Sequence, residues 1–385
     1  MKKLIRITTI PLSLEKLLEN QLRFMNTYYE VTAISSEGER LKAFGKQQGV
    51  RTVEVGLTRQ ITPLQDLKAL WRLFWFLKKE QPFIIHSHTP KAGTIGMLAA
   101  KLAGVPHRLH TVAGLPLLET TGNKRRLLDF VEKITYACAT KVYPNSKGLQ
   151  SIIIEQNFCS PDKLKVIGNG SSNGIDTDFF SPQSVSESEK ASLKKQLGIS
   201  EGDFVFIFVG RLVSDKGINE LVAAFVRLSA ENVSCKLLLV GPLEKELDPL
   251  LPETEKAILT TGNILSLGYQ NDVRPYFAIS DCLVFPSYRE GFPNVVMQAG
   301  AMGLPSIVSD INGCNEIVVS KKNGIIIKPK SAEAIYEALK RISEDKELNV
   351  RLKNNAREMI VSRYQQQLVW EAILNEYKSL EENVQ

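Results

Sequence analysis

The strongest constraint on the fold is a rhythm of short apolar runs that alternate with longer helical patterns. In the first half of the chain the apolar runs are LIRITTI, EVTAIS, FIIHSH, RLHTVAG, KVYPNS and KLKVIGN. The later runs end in polar or glycine-bearing turns, where parallel sheets bind ligands. Strands that alternate with helices predict a parallel sheet covered by helices on both faces. We therefore expect a doubly wound α/β domain at the start of the chain.

The same rhythm starts again after a polar, serine-rich stretch at residues 181–196. The runs there are FVFIFVG, KLLLVG, NILSLG, CLVFPS, PSIVSD and NGIIIK. The chain has 385 residues, and domains of about 100–200 residues would divide it into two or three. The sequence predicts one domain over residues 1–182 and a second over residues 183–365. It also predicts a C-terminal helix over residues 366–385, which either packs on the second domain or crosses back to the first.

The composition narrows the class of protein. Hydrophobic residues form 43% of the chain and charged residues 23%, as in ordinary soluble globular proteins. No apolar run approaches the roughly 20 residues of a membrane span, and Arg6 and Glu15 interrupt the stretch where a signal peptide would be apolar. The expected location is therefore the cytoplasm. The five cysteines are far apart and form no CxxC pair, which predicts buried structural thiols instead of a zinc site.

The positive charge is concentrated in the first half. Residues 1–182 contain 25 Lys and Arg against 15 Asp and Glu, whereas the remaining residues contain 23 against 27. Such asymmetry predicts an anionic partner, which could be nucleic acid, a phosphorylated substrate or the acidic inner face of a membrane. No nucleic-acid-binding motif accompanies it. We therefore expect no nucleic acid among the partners.

Two cations follow the buried run FVFIFVG in the segment Gly210-Arg211-Leu212-Val213-Ser214-Asp215-Lys216-Gly217. Arg211 offers a bidentate fork and Lys216 a point charge. In the turn beyond a strand they could neutralise a diphosphate whose negative charge grows as it leaves. The alternative is a solvated loop with two surface cations.

A second constellation follows the run CLVFPS and consists of Tyr288-Arg289-Glu290-Gly291-Phe292-Pro293-Asn294 and the helical pattern after it. Pro293 suits the first position of a helix, and the amides of Gly291, Phe292 and Asn294 would then lie near the positive end of that helix, where anions bind. Glu290 is a carboxylate beside this helix start. The alternative for Glu290 is a favourable helix N-terminal charge. Asn294 and Gln298 share one helical face.

Together, and in this order, the two constellations resemble the retaining glycosyltransferases of family 4, which have the GT-B fold. The resemblance covers nearly the whole chain and implies two doubly wound Rossmann-like domains that face each other across a cleft. In that family the second domain binds the nucleotide sugar, and a glutamate pair separated by seven residues contacts the sugar and the ribose. Glu290 matches the first glutamate, and Gln298 stands at the second. Glutamine keeps an acceptor oxygen for a ribose hydroxyl but loses the charge.

The resemblance also assigns roles to further residues. Arg211 and Lys216 match the diphosphate-binding pair and, with Glu290, are the expected catalytic residues. Donor binding is expected from these and from matching positions, which are Gly210, Gly268, Tyr269, Gly291, Phe292, Asn294 and Gln298. Asp176 and Asp178 have the DxD spacing of a metal-binding transferase. Their segment instead resembles the interdomain turn of the family, so we expect no metal and no cofactor besides the donor substrate.

The first domain matches the family less well. The loop after its first strand contains no glycine, and Ala113 stands where the family often has a histidine. The turn His86-Ser87-His88-Thr89-Pro90-Lys91 is characteristic of members that act on polysaccharide precursors. His88, Lys91 and His110 are accordingly the candidates for acceptor binding, with local structural roles as the alternative for each.

Two helical segments of the first domain have membrane-surface character. Residues 70–77 are rich in aromatic and aliphatic side chains, and we interpret them as a helix that faces the core. The Lys124-Arg125-Arg126 run opens an amphipathic stretch and is the better candidate for a membrane contact. A solvated charge run is the alternative there.

The resemblance implies a metal-independent retaining glycosyltransferase that moves a hexose or an N-acetylhexosamine from a UDP-sugar to a lipid-linked saccharide in polysaccharide biosynthesis. The members most similar to this chain extend undecaprenyl-diphosphate-linked sugars. The basic first half would then meet this acceptor at the inner membrane surface, with the enzyme cytoplasmic and peripheral to the membrane. The alternatives are a non-catalytic protein that binds nucleotide sugars and a nucleotide-sugar 2-epimerase, which would need acid and base groups from the first domain.

Overall fold

The computed structural model describes residues 1–58, 60, 62–244, 246 and 248–382. Contacts between residues divide the chain into two compact units. The first unit contains residues 1–173 together with the residues after 366, and the second contains residues 174–366. Each unit has its own hydrophobic core and its own sheet.

The first unit contains a six-stranded parallel sheet in the order β3-β2-β1-β4-β5-β6. Its strands are β1 (Lys3–Ile7), β2 (Glu30–Ser35), β3 (Arg51–Glu54), β4 (Ile84–Ser87), β5 (His107–Val112) and β6 (Lys141–Pro144). The central strands are buried along almost their whole length, as expected for a parallel sheet with helices on both faces. The strand order reverses between β1 and β4, which makes their carboxyl ends the switch point of this sheet.

Helices cover both faces of the first sheet. They are α1 (Pro11–Leu17), α2 (Gln21–Met25), α3 (Gly38–Gln48), α4 (Pro63–Glu80), α5 (Pro90–Ala103), α6 (Gly122–Cys138) and α7 (Lys147–Glu155). Short 3-10 helices lie at Pro116–Glu119 and Pro161–Lys163. Helices α4 to α7 pack with Ile5, Ile7 and Ile85, whereas α1 to α3 pack with Leu4 and Ala33 on the other face. Successive strand residues point to opposite faces, so β1 contributes Leu4 to one core and Ile5 and Ile7 to the other.

The second unit repeats this architecture with the order β12-β11-β10-β7-β8-β9. Its strands are β7 (Phe204–Val209), β8 (Cys235–Val240), β9 (Ile264–Gly268), β10 (Cys282–Phe285), β11 (Ser306–Ser309) and β12 (Gly324–Ile327). Its helices are α8 (Glu187–Gln196), α9 (Ile218–Glu231), α10 (Pro252–Thr260), α11 (Arg274–Ala278), α12 (Asn294–Ala301), α13 (Cys314–Ile317), α14 (Ala332–Glu344) and α15 (Lys346–Tyr364). Further 3-10 helices lie at Pro182–Ser184 and Ser214–Lys216. The switch point falls between β7 and β10, and the two sheets confirm the predicted doubly wound fold class.

The C-terminal helix α16 (Gln366–Glu382) packs in the first unit. It buries an apolar stripe against Leu4, Leu22 and Leu109, and the residues of that stripe are Val369, Ile373, Leu374, Tyr377 and Leu380. The spacing of three and four residues places this stripe on one side of the helix. The sequence left open whether this helix packs on the second domain or crosses back to the first. The contacts show that it crosses back to the first unit.

The division by contacts falls after Asn173, whereas the sequence predicts a boundary after residue 182. The nine residues between pack with the second unit because Ile175 forms a parallel bridge with Gln365 and Phe180 joins the core of that unit. The Asp176 carboxylate accepts hydrogen bonds from the backbone amides of Asp178 and Phe179. The DxD pair therefore lies in a turn that its own backbone stabilises.

Helix α4 has apolar side chains on two opposite faces. Ala69, Leu73 and Leu77 recur every four residues and are buried in the core. An exposed stripe recurs at a similar spacing about half a turn away and consists of Leu64, Leu67, Trp71 and Trp75. The two tryptophans are 50% and 66% exposed. The interpretation of this segment as a core-facing helix is therefore correct for one face only.

Exposed apolar side chains also lie on α6, which packs on the other side of α5 from α4 within the same layer. Leu127 and Phe130 are 48% and 60% exposed, and Arg126 and Lys133 lie on the same exposed face. Nowhere in the part of the chain that the structure describes is a helix both long enough and apolar enough to cross a membrane.

Candidate functional site

The switch point of the second unit brings together the two constellations that the sequence singles out. Strands β7 and β10 are neighbours in the sheet, and the segments Gly210–Gly217 and Tyr288–Asn294 follow their carboxyl ends. Open α/β sheets bind ligands in the crevice outside such strand ends. The topology therefore places the predicted donor residues where this fold binds small molecules.

The loop after β7 begins where two strands come unusually close. Gly210 has φ 154° and Gly241, at the end of β8, has φ 146°. A Cβ built on Gly241 would lie 1.8 Å from the Gly210 carbonyl oxygen, so only glycine fits there. Arg211 follows at once, is half-exposed, and its Nη1 donates to Glu244 Oε2 at 2.8 Å. Arg211, which is predicted to bind the diphosphate, thus forms an ion pair with a carboxylate of the loop after β8.

Lys216 approaches the loop after β10 because Gly217 allows a close contact. Gly217 has φ 71°, and a Cβ there would lie 2.3 Å from the Pro286 carbonyl oxygen. Lys216 Nζ lies 2.5 Å from Glu290 Oε1, and both side chains are about one-sixth exposed. Ser287 Oγ donates to the same carboxylate oxygen at 3.0 Å. The structure therefore joins two predicted catalytic residues, 74 positions apart in the chain, in one ion pair.

The backbone beside Glu290 is held by the loop after β11. Asn312 Nδ2 donates to the carbonyl oxygens of Glu290 and Gly291. Gly313 has φ 77°, and a Cβ on it would lie 2.3 Å from the Gly291 carbonyl oxygen. These contacts hold the backbone that leads into helix α12. The position of the Glu290 carboxylate is therefore set by this backbone as well as by its own rotamer.

Helix α12 begins at Asn294, one residue later than the sequence predicts, and Pro293 is its N-cap. No side chain caps the helix start, so the first backbone amides remain available to an anion. Phe292 is buried edge-on against Tyr364 at a ring separation of 5.3 Å. Its side chain therefore packs in the core, which leaves its backbone for donor binding. Gln298 lies one turn after Asn294 and is half-buried.

Two of the predicted donor residues follow β9. Gly268 has φ 63°, and its carbonyl oxygen accepts a hydrogen bond from Gly241 N at 2.8 Å. Tyr269 is 68% exposed, which leaves its ring open to stacking. Both therefore lie at the same edge of the sheet as Gly210, and their predicted roles remain predictions.

A polar group next to the Lys216–Glu290 pair escaped the sequence analysis. Arg289 Nη2 donates to Asp215 Oδ2 at 3.1 Å, and Tyr288 OH donates to Glu220 Oε1 at 2.5 Å. Burial, with Glu220 as acceptor, raises the pKa of Tyr288. Asp215 and Tyr288 lie inside the two segments that the sequence singled out, so the sequence could have identified them as site residues. Glu220 lies on α9, outside both segments, and no sequence pattern pointed to it.

The three predicted acceptor residues are all in the first unit, in different surroundings. Lys91 Nζ forms an ion pair with Asp66 at 2.6 Å and donates to Thr58 Oγ1 at 2.9 Å. His110 is buried, and its Nδ1 lies 2.8 Å from Ser87 Oγ. Burial lowers the pKa of His110 to about 4. Lys91 therefore ties the first turn of α4 in place, and His110 is part of the interior.

His88 has a different environment. It is 3% exposed, and its Nε2 accepts from Arg6 Nε at 3.0 Å. Its Nδ1 is buried, and none of the described residues is a hydrogen-bond partner for it. Burial, then the neighbouring His86 and Arg6, lower the pKa of His88 well below the ordinary value. The sequence pointed to His88 but missed Arg6, although an arginine inside the apolar run LIRITTI is a departure that could have drawn notice.

Among the residues that the structure describes, His, Cys, Asp and Glu side chains form no group of three that could hold a metal ion. This absence does not test the predicted metal independence, which remains a prediction.

Two family profiles match the two halves of the chain. Residues 189–359 match the family described as "Glycosyl transferases group 1". Residues 23–170 match the family described as "Glycosyl transferase 4-like domain". These matches agree with the resemblance inferred from the motifs of both halves.

Two similar proteins match across most of the chain. The chain is 32% identical over 380 residues to the capsular polysaccharide biosynthesis glycosyltransferase CapM of Staphylococcus aureus, with 98% of this chain and 97% of that protein covered. It is 33% identical over 302 residues to the UDP-Gal:alpha-D-GlcNAc-diphosphoundecaprenol alpha-1,3-galactosyltransferase of Escherichia coli, with 77% and 76% covered.

Solved structures support the same fold at lower identity. Anabaena HepE in complex with UDP matches with a TM-score of 0.80 and 20% identity, covering 98% of this chain and 100% of that chain. Sucrose-phosphate synthase of Thermosynechococcus elongatus matches with a TM-score of 0.77 and 18% identity, covering 100% of both chains. At these identities the likeness establishes the GT-B fold alone.

Proposed function

Because this chain belongs to the group 1 glycosyl transferases, we propose that it moves a hexose or an N-acetylhexosamine from a UDP-sugar to a lipid-linked saccharide. The transfer retains the anomeric configuration and serves the synthesis of a surface polysaccharide. The observation that carries the proposal is the Lys216–Glu290 ion pair at the switch point of the second unit. It joins a cation and a carboxylate at the sheet edge where this fold binds ligands.

The charges at this site suit a diphosphate leaving group. Arg211 and Lys216 supply the positive charge, and the uncapped start of α12 supplies backbone amides. In the reaction the bond between the sugar and the diphosphate breaks, and a bond to an acceptor hydroxyl forms on the same face. The leaving phosphate oxygen takes the hydroxyl proton, so no separate base is needed. Stabilisation of the growing phosphate charge is then the main catalytic contribution.

The relatives support the choice of donor and acceptor. The Escherichia coli relative is named for UDP-Gal and a GlcNAc-diphosphoundecaprenol. A relative of Campylobacter jejuni, 28% identical over 346 residues with 87% of this chain and 88% of that protein covered, is named as an N,N'-diacetylbacillosaminyl-diphospho-undecaprenol alpha-1,3-N-acetylgalactosaminyltransferase. By this analogy the acceptor here is an undecaprenyl-diphosphate-linked sugar, and the metal-independent chemistry of the family applies.

A lipid-linked acceptor places the enzyme at the inner membrane surface, and the outward face of α4 supports that location. Its exposed stripe contains Trp71 and Trp75, which favour the boundary between lipid and water. Lys68, Arg72 and Lys79 flank this stripe on one side of the helix. Asp66 and Glu80 lie toward the buried side and pair with cations of the first unit. The face thus combines apolar side chains with positive charge, which suits an anionic bilayer.

The central experiment combines the purified protein, a panel of UDP-, GDP- and ADP-sugars, and a synthetic polyprenyl-diphosphate-linked N-acetylglucosamine. We expect UDP release that requires the acceptor, and a product one sugar longer with the donor's anomeric configuration. Epimerisation of UDP-N-acetylglucosamine without acceptor would instead identify an epimerase. Nucleotide binding without turnover of any donor would identify a binding protein.

The membrane contact is tested separately with vesicles. Trp71 and Trp75 are two of the three tryptophans of the chain, so vesicles with anionic lipid should shift the fluorescence to the blue and brominated lipid should quench it. The double substitution W71A/W75A should weaken vesicle binding about tenfold or more. Leu259→Ala, at an 85% exposed position of the second unit, is the matched control. Equal binding by all three proteins would remove α4 from the contact.

A further inference from the structure

Arg6 in β1 is a fully buried cation whose hydrogen-bond partners are all neutral. Its Nε donates to His88 Nε2 at 3.0 Å, its Nη1 donates to Tyr377 OH at 2.8 Å, and its Nη2 donates to Gln21 Oε1. A guanidinium has five N–H donors and no acceptor. It therefore fixes the direction of each hydrogen bond that it makes. These directions in turn determine which atoms of the neighbouring side chains carry protons.

The first chain of hydrogen bonds ends at His88. Because Nε2 accepts from Arg6, a neutral His88 ring must carry its proton on Nδ1. Burial, followed by the proximity of His86 and Arg6, lowers the pKa of His88 and keeps the ring neutral. Nδ1 is buried and has no hydrogen-bond partner among the residues that the structure describes. His88 thus presents an unused N–H donor.

The second chain runs through Tyr377 and His86 to Thr111. Tyr377 OH accepts from Arg6 and lies 2.5 Å from His86 Nδ1. Among the described residues that nitrogen is the one acceptor within reach of the phenol proton, so we assign Tyr377 as the donor to it. His86 Nε2 then carries the proton of the ring and donates to Thr111 Oγ1 at 2.7 Å. The hydroxyl proton of Thr111 remains to be donated elsewhere. Thr111, like His88, is thereby fixed as a donor.

Both donors line one small cavity. Its volume is about 10 Å³, and its lining includes His88, Thr111, Asn145 and Ser172. His88 follows β4, Thr111 lies near the end of β5, and Asn145 follows β6. The cavity therefore lies at the carboxyl edge of the first sheet, where such sheets bind ligands. In the described part of the chain, Asn145 Oδ1 and Ser172 Oγ are also buried without hydrogen-bond partners.

The unused groups define what fits the cavity. Among the residues that line the cavity, His88 and Thr111 offer donors, and the amide oxygen of Asn145 can only accept. The hydroxyl of Ser172 can do either. An oxygen atom with two lone pairs and one proton satisfies His88, Thr111 and Asn145, and the volume admits about one such atom. That atom is a hydroxyl oxygen, whose source is either a carbohydrate or a water molecule.

We propose that this cavity is an acceptor subsite that binds one hydroxyl group of the saccharide substrate through His88, Thr111 and Asn145. The inference rests on the proposed function and adds to it the group that the first unit recognises. It also assigns His88 a role as hydrogen-bond donor and excludes it as the base, since its only accepting nitrogen is occupied by Arg6. Arg6 is then a positioning residue that acts through the two chains.

The test measures acceptor KM and donor KM separately, with the synthetic polyprenyl-diphosphate-linked N-acetylglucosamine and with the UDP-sugar that supports transfer. His88→Leu should raise the acceptor KM about tenfold or more because buried polar groups are left unpaired. The donor KM should change less than about twofold. Unchanged acceptor KM in a folded variant would overturn the proposal and leave the cavity to a water molecule.

Two amide substitutions separate binding from structural support. His88→Asn keeps an N–H near the position of Nδ1, whereas His88→Gln keeps an acceptor near the position of Nε2 for Arg6. We expect Asn to restore acceptor KM better than Gln, and Gln to restore thermal stability better than Asn. Restoration of acceptor KM by Gln alone would mean that His88 only supports Arg6, contrary to the proposal.

Thr111 provides an independent arm. Thr111→Val removes the donor at nearly constant volume and should raise the acceptor KM about threefold to tenfold, while Thr111→Ser should stay close to the wild type. His107→Leu, at the opposite end of β5 and outside the cavity, is the matched control and should leave both constants unchanged. Equal constants for the Val and Ser variants would contradict the assignment of Thr111.

A panel of mono-deoxy acceptors identifies the hydroxyl. One analogue should bind the wild type about tenfold more weakly and lose nothing further in His88→Leu, because the same hydrogen bond is already missing. Equal losses for every analogue in both proteins would overturn the proposal. If the proposed function itself fails, the wild type transfers no sugar to any acceptor. A failed inference instead leaves an active wild type and indifferent variants.

Discussion

The two units of this chain share one sheet topology but differ at their switch points. In the second unit, Lys216 and Glu290 meet between the ends of β7 and β10 with about one-sixth of each side chain exposed, and Arg211, in the same loop as Lys216, is half-exposed. In the first unit, Arg6 and His88 meet beside β1 and β4 with almost no exposure and only neutral partners. The edge of the second sheet carries charges that are accessible to solvent. The edge of the first sheet carries a buried hydrogen-bond network whose donors and acceptors have fixed positions.

The difference teaches that topology selects the edge of the sheet, whereas burial decides which chemistry the edge offers. Cations near solvent can exchange a carboxylate partner for a phosphate at little cost. A buried cation cannot exchange partners so easily, and it acts by orienting neutral donors. The first arrangement suits a diphosphate, and the second suits a hydroxyl.

The strongest test removes a cation at the exposed edge. Lys216→Ala or Arg211→Ala should lower kcat about 100- to 1000-fold, because each removes a charge that stabilises the leaving diphosphate. The melting temperature should stay close to that of the wild type, and Lys256→Ala on the exposed face of α10 serves as control. Full turnover by Arg211→Ala in the transfer assay would refute the assignment of the second unit as the donor site.

The exposed edge could be predicted because its residues lie in two continuous segments. Gly210 to Gly217 and Tyr288 to Asn294 each follow a strand directly, so the strand pattern alone places both at one edge. The ion pair between Lys216 and Glu290 then follows from the adjacency of β7 and β10. The burial of the Phe292 side chain could not be predicted, because it depends on Tyr364 of α15, far along the chain.

The buried edge could be predicted only in part because its partners are distant in sequence. Arg6 and Tyr377 are 371 positions apart, and no local pattern states that α16 returns to the first sheet. His88 was recognised from its turn, but its burial depends on that return. Lys91 was assigned to the acceptor, whereas its observed partner Asp66 lies on α4. Periodicity predicts which face of a helix is buried and not which element covers it.

The second prediction concerns pH. All four histidines are in the first unit, and burial lowers the pKa of His86, His88 and His110. Below the ordinary value of 6.5 the unfolded chain binds protons that the folded unit does not, so stability falls as pH falls. From pH 7.5 to 5.5 the loss is on the order of 1 kcal/mol for each histidine and several kcal/mol for the three.

The second unit contains no histidine, so its stability should change little in that range. Urea titrations read by hydrogen-exchange mass spectrometry resolve peptides of the two units and measure both at once. An equal loss in both units between pH 7.5 and 5.5 would show that the buried histidines are not neutral in the fold.

The third prediction breaks the buried network without touching its cation. Tyr377→Phe removes the hydroxyl that accepts from Arg6 and donates to His86, and it leaves two buried polar groups unpaired. We expect a loss of about 2–3 kcal/mol in the free energy of unfolding of the first unit. The matched control is Tyr336→Phe in the second unit, whose hydroxyl donates to the half-exposed Glu231. That change should cost less than about 1 kcal/mol, and equal costs would erase the contrast between the units.

The smallest expected effect comes from the partner of Arg211. Glu244 Oε2 lies 2.8 Å from Arg211 Nη1, and both side chains are substantially exposed, so this pair competes with a bound diphosphate only weakly. Glu244→Gln should strengthen UDP binding about twofold to fivefold by releasing the guanidinium, and the gain should shrink as salt rises. Calorimetric titration of UDP at low and high salt measures both effects, with Glu253→Gln on α10 as control. Weaker UDP binding by the glutamine variant would mean that Glu244 positions Arg211 for the donor, and the exposed edge would then be pre-organised in the manner of the buried one.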